Sequence, residues 1–168
     1  MTQKYEISEE DSRLFREAIY KLPSPTSALT DHLQTLTDKI LSQLSDYQSQ
    51  PSVRAEETLL YLPPGFQSKN IQKLKNGHYP IDARLDLHGL TVNEARETLA
   101  SFVASMLSSQ KICALIIHGK GKYQAHTQPI LKNQINNWLR QLDEVVAFCS
   151  ALPSDGGTGA IYLLLHRQ

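Results

Sequence analysis

The chain has 168 residues, 40% hydrophobic, 20% charged and 7% aromatic, and its 17 Lys and Arg offset 17 Asp and Glu to leave no formal net charge with the histidines neutral. This suits one folded domain with additional sequence and excludes a chain that is fibrous or disordered throughout. It also excludes a global basic field as the means of holding a polyanion, so any nucleic-acid contact must come from a local patch.

The start carries Glu6, Glu9, Glu10 and Asp11 with no apolar leader, and runs such as Ile161 to Leu165 are far short of the roughly 20 residues of a membrane span. A cytoplasmic protein with no membrane partner is expected. Ser8 and Asp11 precede Leu14, Phe15, Ala18, Ile19 and Leu22 at helical spacing, which predicts a short amphipathic helix. Pro23 and Pro25 stop it, and Ser24, Thr26 and Ser27 read as a loop. From Leu29, the spacing of Leu33, Leu36, Ile40, Leu44 and Tyr47 predicts a second helix. Residues 48–56 are polar and linker-like. Thr58 to Leu62 reads as a brief extended piece closed by Pro63, Pro64 and Gly65, and Lys69, Lys73 and Lys75 surround Ile71 and Leu74 in a short basic helix ending near Asn76 and Gly77. That helix is either a solvated face or a nucleic-acid contact. The expected division is an N-terminal extension of helices and linker over 1–56, a basic lead-in over 57–80 and an α/β domain over 81–168.

After Pro80 the pattern becomes regular. Arg84 to His88 alternates as a strand buried on one side does. Thr91 and Glu94 form a capping box for a helix with the stripe Ala95, Leu99, Phe102, Val103 and Met106. Ile112 to Ile117 is a strand ending at His118, and a glycine-rich loop from Gly119 to Thr127 leads to Pro129 and a helix with Leu131, Ile135, Trp138, Leu139 and Leu142 on one face. Val145 to Cys149 and Ala160 to Leu165 are two further strands around the turn of Gly156, Gly157 and Gly159. Cys113 and Cys149 sit in apolar runs and read as buried thiols. The order βαβαββ implies a two-layer α/β sandwich with a mainly parallel sheet, the first three strands pairing in parallel and the last returning as a hairpin. Two helices cover one face, leaving the other open unless the N-terminal segment or a partner covers it.

The first two of these strands end in chemically rich sequence: Asp86-Leu87-His88-Gly89 and His118-Gly119-Lys120-Gly121-Lys122. Asp86 and His88, two apart on an extended segment, leave the same face, and adjacent strands would bring His118 and Lys120 to them. A carboxylate, imidazoles, an ammonium and backbone N–H groups freed by glycine suit a phosphodiester. The plain alternative is that Asp86 and His88 end a strand and the glycines make a tight turn. His126 and His166 read as surface residues, and Trp138 and Phe148 as core.

Leu85-Asp86-Leu87-His88-Gly89-Leu90-Thr91, followed by Glu94-Ala95, and Ile116-Ile117-His118-Gly119-Lys120-Gly121 resemble the two motifs of the small MutS-related (Smr) domain. Phe148 to Pro153 with Gly156-Gly157-Thr158-Gly159-Ala160 is similar to the tail of stand-alone bacterial Smr proteins, and residues from Pro63 to Pro80 are similar to their basic lead-in. The resemblance implies a fold related to the C-terminal half of a bacterial translation initiation factor, with nucleic-acid binding and endonuclease activity: nicking of DNA, or cleavage of mRNA at stalled or collided ribosomes. It implies Asp86 and His88 as a catalytic pair with His118 and Lys120, and Gly119, Gly121 and Lys122 as phosphate-facing, while Lys69, Lys73 and Lys75 would bind nucleic acid. The segment from Leu29 to Tyr47 matches no family motif.

With RNA, the ribose 2′-hydroxyl is the nucleophile and no cofactor or metal is expected; with DNA, water must attack and a divalent metal at Asp86 becomes the expectation. The alternative reading is a non-catalytic adaptor for nucleic acid or the ribosome, docked through the N-terminal helix.

Overall fold

The computed structural model describes residues 25–48, 50–66, 68–121 and 128–166. The helix expected around Leu14 to Leu22 falls outside the described residues, as do Lys122 and His126. Helix α1 spans Pro25–Gln43, strand β1 Leu60–Tyr61, α2 Ser68–Lys75, β2 Ala83–Asp86, α3 Val92–Ser108, β3 Cys113–Ile117, α4 Ile130–Leu139, β4 Val145–Ser150 and β5 Ala160–Leu165. Two departures from expectation concern α1. It begins at Pro25, which suits the first turn of a helix because the missing N–H has no partner there to lose, and Tyr47 lies beyond its end, 81% exposed.

The sheet runs β1-β4-β5-β3-β2. The expected parallel pair β2–β3 is present, as is the antiparallel return of β5 onto β4. The expectation of a mainly parallel sheet is corrected: β5 inserts between β3 and β4, antiparallel to both, and β1 adds antiparallel to β4. The physical reason is in β5 itself. All six of its residues are buried, with Ile161, Leu163 and Leu165 in one core and Ala160, Tyr162 and Leu164 in the other, so it needs a central place covered on both faces. β2 buries only one face and occupies the edge.

One core lies under α3 and α4, where Ala95, Leu99, Val103, Ile135, Trp138 and Leu139 pack on Ile116, Phe148, Ile161 and Leu163, with Ile40 and Leu44 from α1 and the turn after it. The capping box is formed: Thr91 accepts from the Glu94 N–H, and Glu94 accepts from the Thr91 N–H at 2.9 Å, an arrangement that contributes about 1 kcal/mol. The second core shows that the other sheet face is covered by the chain's own lead-in: Leu74 of α2, with Leu62, Phe66, Tyr79 and Ile81, packs on Leu115, Cys149 and Tyr162. Cys113 and Cys149 are free and buried, as expected, and burial pushes both thiols up to about 11.

Between α1 and β1 the chain is bound along α4 by polar side chains. Asn137 donates to the carbonyls of Ser45 and Tyr47, Trp138 Nε1 donates to Asp46 at 3.1 Å, and Asn133 both donates to the Val53 carbonyl and accepts its N–H. Lys132, wholly buried, donates to the carbonyls of Arg54, Ala55 and Glu57. Arg140 donates to the Leu60 carbonyl and lies over the stacked rings of Tyr61 and Phe148. Replacing Lys132 by Met would leave the three carbonyls without a donor. Such buried orphans cost about 1–3 kcal/mol each where water cannot reach them, so Lys132→Met should lower unfolding free energy by about 3 kcal/mol or more in urea titration and open residues 50–58 to limited proteolysis.

Candidate functional site

Two backbone locks set β2 against β3. At one end Asp82 accepts the N–H groups of Ile112 and Cys113 at 3.0 and 3.1 Å, bonds that hold its carboxyl below the usual range. At the other end the Leu87 N–H donates to the Ile117 carbonyl at 2.8 Å. The resulting register sets Arg84 beside Leu115 and Asp86 beside Ile117.

Beyond the strand, the chain turns at Gly89 with a φ of +79°, in the left-handed region that favours glycine. The Asp86 Oδ1 accepts the His88 N–H at 3.0 Å and lies 2.5 Å from His88 Nδ1. Both bonds, the imidazole first, hold the Asp86 carboxyl below its ordinary value. With Nδ1 donating to the carboxylate, the lone pair resides on Nε2 of a ring that remains exposed.

The end of β3 comes alongside. A Cβ placed on Gly119 would lie 3.5 Å from His88 Cβ, so this glycine touches the dyad. The Gly159 carbonyl accepts from both the His118 and Gly119 N–H groups, at 3.0 and 2.9 Å, and a Cβ on Gly159 would lie 3.1 Å from Lys120 Cγ. Gly121 abuts Pro129, the residue that opens α4. The expected residues Asp86, His88, Gly119, Lys120 and Gly121 are therefore gathered at one end of the sheet, with the start of β5 as a further wall. Asp82 was not singled out by sequence, and Gly159 was read as part of a turn and of the family-like tail, not as a wall of the site. An acidic residue just ahead of a strand, and a third glycine in the β4–β5 turn, were the signals available.

His118, expected to join the dyad, is buried, on the side of the strand that carries Ala114 and Ile116 beneath the helices. Its Nδ1 donates to the Gly119 carbonyl at 2.7 Å, and its buried Nε2 has no partner among the described residues. Burial, assisted by the nearby Lys132 ammonium and opposed by the bond to Gly119, pushes it down to about 4. Burial thus favours the neutral ring, which is tied to the loop through the Gly119 carbonyl. Lys69, Lys73 and Lys75 lie exposed on α2, which packs on the same sheet face as Asp86 but against β4, away from the β2–β3 edge that carries the dyad. As for metal ligands, no group of three or more His, Cys, Asp or Glu converges among the described residues; Asp86 and His88 supply two donors.

The Smr domain family model matches residues 85–166, the span that carries both strand ends and the β5 wall. Over their full lengths, the chain is 30% identical to the ribosome rescue factor SmrB of Serratia proteamaculans (strain 568), covering 99% of this chain and 98% of that protein. The chain belongs to the Smr domain family. The Yersinia enterocolitica SmrB is 31% identical, with 100% and 99% covered. A protein of Escherichia coli (strain K12) named "Probable DNA endonuclease SmrA" is 38% identical over 103 residues, 61% of this chain and 55% of that one. The crystal structure of YdaL, a stand-alone small MutS-related protein from Escherichia coli, superposes with a TM-score of 0.61 at 32% identity, over 76% of this chain and 99% of YdaL. None of the described helices of this Smr protein is long and apolar enough to cross a membrane.

The buried imidazole makes a pH prediction. A folded value near 4 lies below the unfolded value of about 6.5, so the fold favours neutral His118. Its contribution is complete above the unfolded value and is lost as pH falls through the folded one. Urea unfolding from about pH 7 to about pH 4.5 should show a steeper loss in the parent than in His118→Asn, which keeps an N–H for the Gly119 carbonyl but cannot titrate.

Proposed function

We propose that this chain acts at the ribosome and that its Smr domain cuts an RNA phosphodiester bond there. The observation that carries this reading is the exposed Asp86–His88 pair, oriented with Nε2 outward and set against the glycine of a second strand end. His88 Nε2 takes the proton of a ribose 2′-hydroxyl, and the oxygen attacks the neighbouring phosphorus. The bond to the 5′ oxygen breaks, that oxygen takes a proton from water, and the products are a cyclic phosphate and a 5′-hydroxyl. Asp86 holds the imidazole in its productive tautomer. Lys120, with the backbone at Gly121, meets the growing charge on the phosphoryl oxygens, while the Gly119 amide, bonded to the Gly159 carbonyl, fixes the path of the loop. His118 acts by positioning that loop. Lys122 extends the basic character of the same loop in sequence, and Lys69, Lys73 and Lys75 hold more distant phosphates. On DNA, which lacks the 2′-hydroxyl, a divalent ion would find Asp86 and His88 as its protein ligands.

A second reading, a ribosome-bound factor that does not cut, is supported by the relatives that match over their whole length and are named ribosome rescue factors. The absence of net charge also favours recruitment by protein contact over free scanning of nucleic acid.

Purified protein given free single-stranded RNA, duplex DNA and mRNA on queued ribosomes, with and without chelator, separates these readings. RNA should be cut, with chelator tolerated and cyclic phosphate at the new end. Asp86→Asn and His88→Ala should each reduce the rate by about 10²-fold or more while leaving ribosome binding intact. Full binding with no cleavage of any substrate would favour the non-cutting factor.

A further inference from the structure

β2 presents a line of functional groups longer than the dyad. Its exposure alternates: Ala83 and Leu85 pack against the core beneath the helices, while Arg84 and Asp86 are exposed on the opposite face. The register partners of Arg84 and Asp86, Leu115 and Ile117, both belong to the core on that opposite face, and His88 continues the line beyond the strand. Arg84 and Asp86 thus stand about 6.6 Å apart along the extended strand, with His88 folded back against Asp86 in the turn that follows. That interval is comparable to the step between successive phosphates of an extended nucleic-acid strand.

The engagement of these groups differs. Asp86 is committed to His88, and Asp82, the preceding member of the same line, is committed to the N–H groups of Ile112 and Cys113. Arg84 has no side-chain hydrogen bond or ion pair among the described residues. A guanidinium left free at the edge of the sheet, between two carboxylates that are already engaged, is available to a ligand. α2 with its three exposed lysines packs on the same sheet face nearer β4, so further positive charge lies on the face that carries Arg84.

We propose that Arg84 is a substrate-binding residue, gripping with its planar fork a backbone phosphate one or two nucleotides from the bond that His88 attacks. This fixes the direction in which the strand lies along β2 and sets a minimum substrate length. The inference rests on the cleavage reading given above and deepens it by adding a residue that neither the Asp86–His88 dyad nor the glycine loop contains.

The test uses the full chain with labelled single-stranded RNA, comparing the parent with Arg84→Gln and Arg84→Lys. Arg84→Gln should raise KM by about fivefold or more with kcat changed less than about twofold, and should reduce the slope of log binding constant against log salt by about 0.7, the loss of one phosphate contact on a single strand. Arg84→Lys should restore the salt slope but only part of the KM, because the charge returns without the fork. In a series of RNAs each carrying one neutral methylphosphonate, the Arg84→Gln penalty should vanish at a single position near the cleaved bond. An unchanged KM, salt slope and methylphosphonate profile would overturn the proposal and leave Arg84 as a charge that guards the sheet edge. If the parent cuts no RNA, the cleavage reading fails, and the salt slope of binding still decides the contact at Arg84.

Discussion

The register of one parallel strand pair governs everything at the candidate site. Side chains alternate along a strand, so a slip of one residue between β2 and β3 would turn Asp86 toward the helices and bring Leu85 or Leu87 out in its place. The chain prevents this with Asp82 bonded to the amides of Ile112 and Cys113 where β3 begins, and the Leu87 amide bonded to its last carbonyl. Four residues of strand would hold such a register weakly on their own. With both ends fastened, the Asp86–His88 pair arrives beside Gly119 in one defined position.

The same strand ends place two imidazoles in opposite circumstances. His88 lies in the open and is oriented by a carboxylate, whereas His118 is desolvated and bonded to a main-chain carbonyl. Two histidines that read alike in the sequence therefore stand in different surroundings, one ring open to solvent and one enclosed and tied to the main chain. The difference follows from parity: β2 turns its even positions to the exposed face, while β3 turns its even positions beneath the helices. The glycines and Lys120 approach the dyad from the end of β3 and from the turn before β5, so three connections of the fold meet at one end of the sheet.

Much of this was legible in the chain, because periodicity and capping are local. The α3 cap, the stripes of α3 and α4, the basic lead-in helix and the strand ends all follow from residues a few positions apart. The central place of β5 was not legible as pairing, although its run of buried apolar residues carried the hint. The attachment of residues 45–60 was hidden for a different reason. Lys132, Asn133 and Asn137 are polar residues of an amphipathic helix, and only the tertiary fold brings main-chain carbonyls across them and buries them. The burial of His118 was equally long-range, since it depends on which sheet face the helices cover.

Most of the bonds that fasten this segment to α4 are made to its main chain. Lys132 gathers three consecutive-region carbonyls without touching a carboxylate, and Asn133 pairs with the peptide group of Val53. A peptide group is the same whatever side chain it bears, so the fastening places little demand on which residues occupy positions 54–57, whereas Val53 also packs its side chain on the core. That stretch is free to diverge in charge and shape while its path across the helix stays the same, and selection for a stable attachment acts on α4 instead.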